Sequence, residues 1–421
     1  MLSASRPCTK RGASLRSGRL LVTGLASGAA LTLAPLVVTN ALAQAPAAAP
    51  AAAPAAAPAA APVPKWYDRI NVSGSIDTYY DFNTNNPAGN ANQLQNFTST
   101  SNTFAVPLAE LVLAENADPV NSPLGFKVVL GYGSEADTVA AGDASSLKNV
   151  IQAYGTYIVN GKSSSPITIN AGKFVTWTGQ EVIESQGNWN YSHSLLFAYA
   201  IPYYHEGVSA NKAFGSKLNA TIYAVDGWNS GMNAVTGAQL NGKSGGYSVV
   251  YTPSTKWSIT TNGIAGPRSD ENSTSFLTDN IISYTINPKW TAVVNYDYGH
   301  DRMPIGAGNQ NFNWQGAAAY LHYTKDDKNA VTLRAELLAD PSGNMTGNSQ
   351  EVKEATLTYE HKFLPRVTTR LEVREDWSTT PVFINGGAVI PTTAAGTNTT
   401  IYTPERKRNQ TQLIIGNIIT F

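Results

Sequence analysis

The chain has 421 residues, 42% of them hydrophobic and only 14% charged, with 29 basic against 29 acidic side chains and a single cysteine. No basic patch or basic excess marks a nucleic-acid binder. Cys8 alone forms neither a disulfide staple nor a cysteine metal site.

Lys10, Arg11, Arg16 and Arg19 form a basic start, and no acid precedes Asp68. An apolar stretch from Leu20 to Thr39 follows, then Ala41-Leu42-Ala43, an A-x-A pattern that predicts a signal peptide over 1–43. A membrane anchor is the competing reading, since the stretch approaches the length that spans a bilayer. Gly24, Ser27, Gly28 and Pro35 dilute it. Cys8 lacks the small-residue run that precedes a lipidated cysteine. Cleavage removes Cys8 and five basic residues, which leaves 24 bases against 29 acids and no mature cysteine. Residues 44–64 are almost only Ala and Pro, a semi-rigid periplasmic spacer reaching about 65 Å if extended.

Residues 65–421 are rich in Tyr, Trp, Thr, Asn and Gly, a β composition. From Ile70 the residues alternate: Ile70, Val72, Ile76, Thr78 and Tyr80 point one way, and Ser73, Ser75, Asp77, Tyr79 and Asp81 the other. Further runs lie near 104–115, 124–133, 149–159, 166–175, 204–214, 217–226, 245–253, 256–264, 276–287, 289–299, 312–324, 329–339, 350–363, 365–377 and 409–421, sixteen in all. Tight polar turns at Pro253-Ser254-Thr255, Asn287-Pro288-Lys289, Lys325–Lys328 and Leu364-Pro365-Arg366 alternate with long gaps at 83–103, 134–148, 176–203, 227–244, 265–275, 300–311, 340–349 and 378–408. Seven short and eight long connections predict an all-β, transmembrane antiparallel barrel of about sixteen strands, with short periplasmic turns and long external loops. The last run places Thr411, Leu413, Ile415, Ile419 and Phe421 on one face. That pattern is similar to the terminal signal of bacterial outer-membrane barrels, although Asn417 interrupts the row.

Several motifs share a spacing: Gly172-Lys173-Phe174-x-Thr176, Gly179-x-Glu181, Tyr191-Ser192-x-Ser194, Leu196-Phe197-Ala198-Tyr199, Pro202-Tyr203-Tyr204-His205-x-Gly207 and Asp226-Gly227-Trp228. Together they resemble the OmpL-like, type 2 β-barrel porins. The resemblance implies a porin-like barrel of the outer membrane through which small hydrophilic solutes or ions diffuse, and it implies no particular solute. Porin analogy also suggests a homotrimer in contact with lipid and lipopolysaccharide. In sixteen-stranded porins the third long loop commonly folds into the lumen, so the 28-residue loop 176–203, with Glu181, Glu184 and His193, is the candidate constriction. Its apolar part, Leu195 to Ile201, is expected to pack on the wall or extend a strand rather than project into water.

Alternation assigns Asp77, Asp81, Glu110, Lys127, Asp279, Asp297, Arg334, Glu336, Glu354, Glu360, Arg370, Glu372 and Arg374 to the lumen. Nine acids against four bases predict a weak preference for cations. Arg370, Glu372 and Arg374 form a ladder facing Glu354 and Glu360 across a turn. Such neighbours act either as an ion-pair network on the wall, at about 0.2–1 kcal/mol per pair, or as a transverse field that orients solutes.

Ser192, His193, Ser194 and Glu181 bring a hydrolase to mind, but residues adjacent on an extended chain point to opposite faces. No nucleophile-elbow motif is present. The Glu181/Glu184 pair is explained more simply by scattered wall acids than by glycosidase chemistry. His193, His205, His300, His322 and His361 lack ligand spacing, so neither enzyme activity, cofactor nor metal is expected. Two other readings stay open. One is a secreted carbohydrate-binding β-protein. The other is a non-conducting barrel that tethers outer membrane to cell wall.

Overall fold

Each strand carries one apolar and one polar face, so the sheet has two chemically distinct sides. A computed structural model describes residues 66–143, 147–229, 243–268, 272–306, 308–393 and 400–421. The proposed signal and spacer lie outside the described residues. The barrel strands are β1 (Asn71–Asn83), β2 (Ala109–Glu115), β3 (Leu124–Tyr132), β4 (Val150–Val159), β5 (Ile167–Val175), β6 (Tyr204–Phe214), β7 (Leu218–Val225) and β8 (Ser244–Ser254). They continue as β9 (Trp257–Gly266), β10 (Thr274–Asn287), β11 (Trp290–Ile305), β12 (Gly308–Thr324), β13 (Asn329–Asp340), β14 (Gln350–Leu364), β15 (Val367–Ser378) and β16 (Asn409–Thr420). Every strand pairs antiparallel with its sequence neighbours. β1 closes the ring onto β16, with Tyr79 opposite Gly416 and Phe82 opposite Leu413. The backbones of Gly74 and Phe421 exchange two hydrogen bonds of 3.0 Å at the seam. Closure leaves no sheet edge to satisfy.

The sixteen expected strands are all present, with three local differences. The second run is split. Phe104–Ala105 pairs with Tyr80 and Tyr79, and the strand resumes at Ala109, because Pro107 between them has no N–H for the ladder. Pro253 and Ser254 belong to β8, and the turn falls at Thr255 and Lys256. Register shifts between Trp257 and Ile259, so Pro253 sits at a bulge, where a missing donor is tolerated. The gap expected at 300–311 is largely strand: β11 and β12 pair from Trp290↔Tyr323 to Ile305↔Gly308. The extension is held from inside, where Asp301 takes Ser275 Oγ at 2.6 Å and Asn344 Nδ2 at 2.8 Å and pairs with Arg268. A second antiparallel pair, Phe383–Thr393 with Thr400–Lys407, lies within the last long connection.

The faces separate as alternation predicts. Ile76, Leu333, Leu357, Leu371, Val373, Leu413, Ile415 and Ile419 are exposed, while Ser75, Asp77, Arg334, Glu354 and Arg374 are buried. The outer face is therefore apolar, while the inner face carries these polar residues together with buried Leu277, Val293, Leu338, Val352, Ile414 and Ile418. Ring pairs sit at the short-turn end, Trp257 with Tyr284 at 4.3 Å and Trp290 with Tyr323 at 4.6 Å. Asn417 is accommodated on the apolar face because Thr369 Oγ1 donates to its Oδ1 at 2.7 Å.

Candidate functional site

The interior is occupied by connections from the long-loop end. Loop 176–203 lies on the inner face of the β10–β16 wall and β1, and its backbone supplies most of the attachment. Gly179 N donates to Asp279 Oδ2 at 2.9 Å and Gln180 N to Asn295 Oδ1 at 3.2 Å. Further along, Tyr191 N and Ser192 N donate to the two oxygens of Glu372 at 2.8 and 3.1 Å. Leu195 N and Leu196 N do the same to Glu336 at 2.7 and 3.2 Å.

The loop's carbonyls are held by arginines. Arg370 reaches Ser185 O at 2.6 Å, Asn188 O at 2.6 Å and Asn190 O at 3.1 Å. Arg334 reaches Ser192 O at 2.7 Å and Arg374 reaches His193 O at 2.7 Å. An irregular segment inside a barrel cannot satisfy its own backbone, so the wall must do it. The rigid fork of arginine suits this, since one guanidinium serves several acceptors.

The same arginines are paired among themselves by carboxylates. Arg334 Nε and Nη2 bind the two oxygens of Glu354 at 2.9 and 3.1 Å, and Nη1 binds Glu181 Oε1 at 2.8 Å. Arg374 lies 3.4 Å from Glu354 and 2.9 Å from Asp376. Arg370 pairs with Glu360 at 2.9 Å. In the Arg370/Glu372/Arg374 ladder the two arginines are ion-paired with Glu360, Glu354 and Asp376, while Glu372 accepts from the loop and from Thr358 Oγ1.

All thirteen residues assigned to the lumen lie on the inner face, but eleven are buried and only Lys127 and Glu360 are half-buried. They bear on the loop or on one another rather than on open water. Asp279 also takes Asn262 Nδ2 and Asn295 Nδ2, both at 2.6 Å, and Asn295 reaches Asp297 Oδ1 at 3.0 Å. Asp81 is held by Asn92 at 2.6 Å and Gln412 at 2.5 Å. Within the loop, Glu181 Oε2 accepts from Ser194 N at 2.7 Å. His193 Nε2 donates to Val182 O at 2.9 Å and Ile183 O at 3.0 Å. Burial lowers the His193 pKa below the ordinary value. Glu184 is half-buried and faces Glu110.

The apolar stretch 195–201 packs on the wall. Leu196–Ala200 forms one π-helical turn. Leu196 lies over Gly316, where a Cβ would meet its Cδ2 at 2.3 Å. Trp314 is fully buried, covers Gly299, and donates from Nε1 to Ala200 O at 3.0 Å.

Two further connections fill the interior. From loop 84–108, Phe97 contacts His193, Phe197 and Tyr203, at 4.2, 5.4 and 5.4 Å between ring centres. Helix α1 (Ser134–Val139) buries Ala136 and Val139 in the same cluster. Neither contact has a sequence signature. Asp376 did have one, since it continues the Arg370, Glu372, Arg374 spacing by one more step.

The loop-facing wall is buried, while part of the opposite wall is not, although Gln152, Lys173, His205 and Ser209 are buried there too. Tyr154, Thr156, Asn170, Asn211, Thr221 and Ser248, inward on β4 to β8, are all half-buried. They are uncharged.

A family model described as "Putative beta-barrel porin-2, OmpL-like" matches residues 69–421. The chain belongs to this family. Its fold is similar to that of an anion-selective porin from Comamonas acidovorans (12% identity, 84% of this chain and 99% of that one, TM-score 0.56). It is also similar to the outer-membrane channel DcaP of Acinetobacter baumannii (11%, 84% and 97%, TM-score 0.54). Vibrio cholerae OmpT gives a TM-score of 0.52 at 12% identity over 84% and 97%. No curated protein matches the sequence. This OmpL-like barrel is accordingly a porin-type channel protein of the bacterial outer membrane.

The motif residues of this porin are mostly structural. Tyr203 N and Tyr204 N both donate to Asn229 Oδ1, and His205 Nδ1 donates to Gly227 O at 2.8 Å. The Arg268 guanidinium lies 4.3 Å from the Trp228 ring and pairs with Asp301. They fasten the third and fourth long connections to the rim.

If hydrocarbon covers the apolar outer face, Leu357→Lys near the midplane should cost about 2–4 kcal/mol. Leu357 is half exposed and sits between Leu333 and Val373. Urea unfolding in lipid vesicles measures this; a change below ~0.5 kcal/mol would argue that no lipid contacts that face.

Proposed function

We propose that this barrel lets small hydrophilic solutes and ions diffuse passively across the outer membrane, with loop 176–203 as its constriction. The supporting observation is the asymmetric interior: the loop is fastened to the β10–β16 wall, and polar side chains of β4 to β8 remain half-buried opposite it. Passage runs between the loop and that second wall. Selection is by size and by the field of the interior.

Acids still outnumber bases across the inner face once Glu135, Asp301, Asp340 and Asp376 are added to the residues read from sequence. The proposed selectivity is a weak preference for cations. A reversal potential measured across a salt gradient should take the cation sign; an anion-selective value would refute this part. Homotrimeric assembly belongs to the same reading, since Vibrio cholerae OmpT was also solved in a trimer form. Lipopolysaccharide is the expected neighbour of the outer rim.

The path can be mapped chemically, because Cys8 is the sole cysteine and cleavage after Ala43 would remove it. Thr221→Cys and Asn170→Cys should react with a charged thiosulfonate reagent and lower conductance. Thr356→Cys, on the covered wall, should stay unreactive. Equal reaction at all three positions would place the passage elsewhere.

The filled interior favours a second reading, a barrel that conducts little or nothing and serves as a structural tether. Planar-bilayer recording of the purified protein separates the two: discrete channel steps support the first, and their absence at high protein load supports the second.

A further inference from the structure

The short-turn end of the barrel is ringed by bases. Lys162 lies between β4 and β5, Lys217 between β6 and β7, Lys256 between β8 and β9, and Lys289 between β10 and β11. Lys325 and Lys328 bracket the turn between β12 and β13, and Arg366 lies between β14 and β15. Six of the seven short turns thus carry a base, and the turn between β2 and β3 carries Asp118 instead. All seven bases are exposed. Among the described residues none of them forms an ion pair, whereas nearby Arg69 and Lys362 pair with Glu115 and Glu360.

Seven bases against three acids, Asp118, Asp326 and Asp327, leave the turns with four excess positive charges. Two of those acids close their own turns. Asp118 Oδ1 accepts from Val120 N and Asn121 N, both at 2.7 Å. Asp326 Oδ1 accepts from Lys328 N and Asn329 N at 3.0 and 2.9 Å.

Aromatic rings mark the height at which the bases stand. Lys256 precedes Trp257 and Lys289 precedes Trp290, and both indoles are exposed on the apolar face beside Tyr284 and Tyr323. Lys212 Nζ, near the same turn as Lys217, lies 5.6 Å from the Phe214 ring. Tryptophan and tyrosine favour the headgroup level of a bilayer. Lysine carries its ammonium to that level on an apolar stem. Bases beside such rings therefore stand among headgroups, and their uncompensated charge favours a headgroup of net negative charge over a zwitterionic one.

We propose that this rim binds anionic phospholipid headgroups, of the phosphatidylglycerol class, in the leaflet that the short turns reach. The inference rests on the outer-membrane placement of the barrel and not on conductance.

The test uses the purified protein reconstituted into phosphatidylcholine vesicles that contain brominated phosphatidylglycerol or brominated phosphatidylcholine. Bromine quenches the indoles it touches. Subtracting the signal of a Trp257→Phe/Trp290→Phe variant isolates the two rings beside Lys256 and Lys289. At low salt the anionic lipid should occupy their surroundings with about fivefold higher affinity, the ratio expected of one base near an anionic surface. Molar salt, with a Debye length of ~3 Å, should abolish the preference. Lys256→Gln/Lys289→Gln should abolish it as well. Both side chains are exposed in turns, so this variant is expected to fold, and the migration of unheated samples in gels verifies it. Equal affinity of wild type for the two lipids at low salt overturns the proposal. So does a preference that the double variant keeps. Binding to purified cell-wall sacculi that the variant loses, with no lipid preference in wild type, assigns the rim to wall polymer and overturns it too. Quenching is read without conductance, so its failure is distinct from failure of the channel reading.

Discussion

Arg334→Ala should lower the stability of the barrel by about 3–5 kcal/mol, the usual cost of removing one partner from a buried ionic network, and should widen the conducting path. Arg334 is fully buried and donates to Glu354, Glu181 and the carbonyl of Ser192. Among the described residues, its loss leaves the Glu181 carboxylate with Ser194 N and the Tyr320 hydroxyl, at 2.7 and 3.1 Å. It also frees the middle of loop 176–203 from the wall. Arg334→Lys should not restore the wild type, because one ammonium cannot span the same fork of acceptors. Unfolding in urea gives the stability, and bilayer recording gives the conductance. Wild-type values of both in the alanine variant would mean that the arginine does not hold the loop.

Trp314→Ala should cost about 3–5 kcal/mol, as large aromatic truncations in cores do, and should expose the turn Leu196–Ala200 to protease. The indole is enclosed by Gly299 below it, the Trp228 ring 5.9 Å away and the Ala200 carbonyl. Trp314→Phe keeps much of the bulk and removes the hydrogen bond, so its smaller cost, about 0.5–1.5 kcal/mol plus lost contacts, separates the two contributions. Limited proteolysis with mass spectrometry reads the release. Cleavage patterns identical to wild type would show the turn to be anchored elsewhere.

Both predictions concern contacts the sequence did not announce. Alternation alone assigns Arg334 and Arg374 to the inner face, and both are buried. Glu354 was legible as a neighbour across the turn, but the loop partners were not, because Glu181, Ser192 and His193 lie more than a hundred residues away from Arg334. The apolar stretch Leu195 to Ile201 was readable as something that avoids water, and it packs on Trp314 and, through Leu196, on Gly316. Nothing in Phe97 or Ala136 marked them as interior neighbours of that stretch. The 300–311 segment misled because Gly306, Gly308 and polar side chains look like a loop, whereas Asp301 and its partners extend the ladder.

Alternation with a period of two is a local property of the backbone, so strand count, pairing order and the inside and outside of each ribbon could be read from the chain before any contact was known. Which loop fills the barrel, which wall it covers and which charges it neutralises are set by contacts between residues far apart in sequence. Those contacts form only once the ring has closed and brought opposite walls within reach, which is why apparent lumen residues such as Arg334, Glu336, Arg370, Glu372 and Arg374 hold the loop instead.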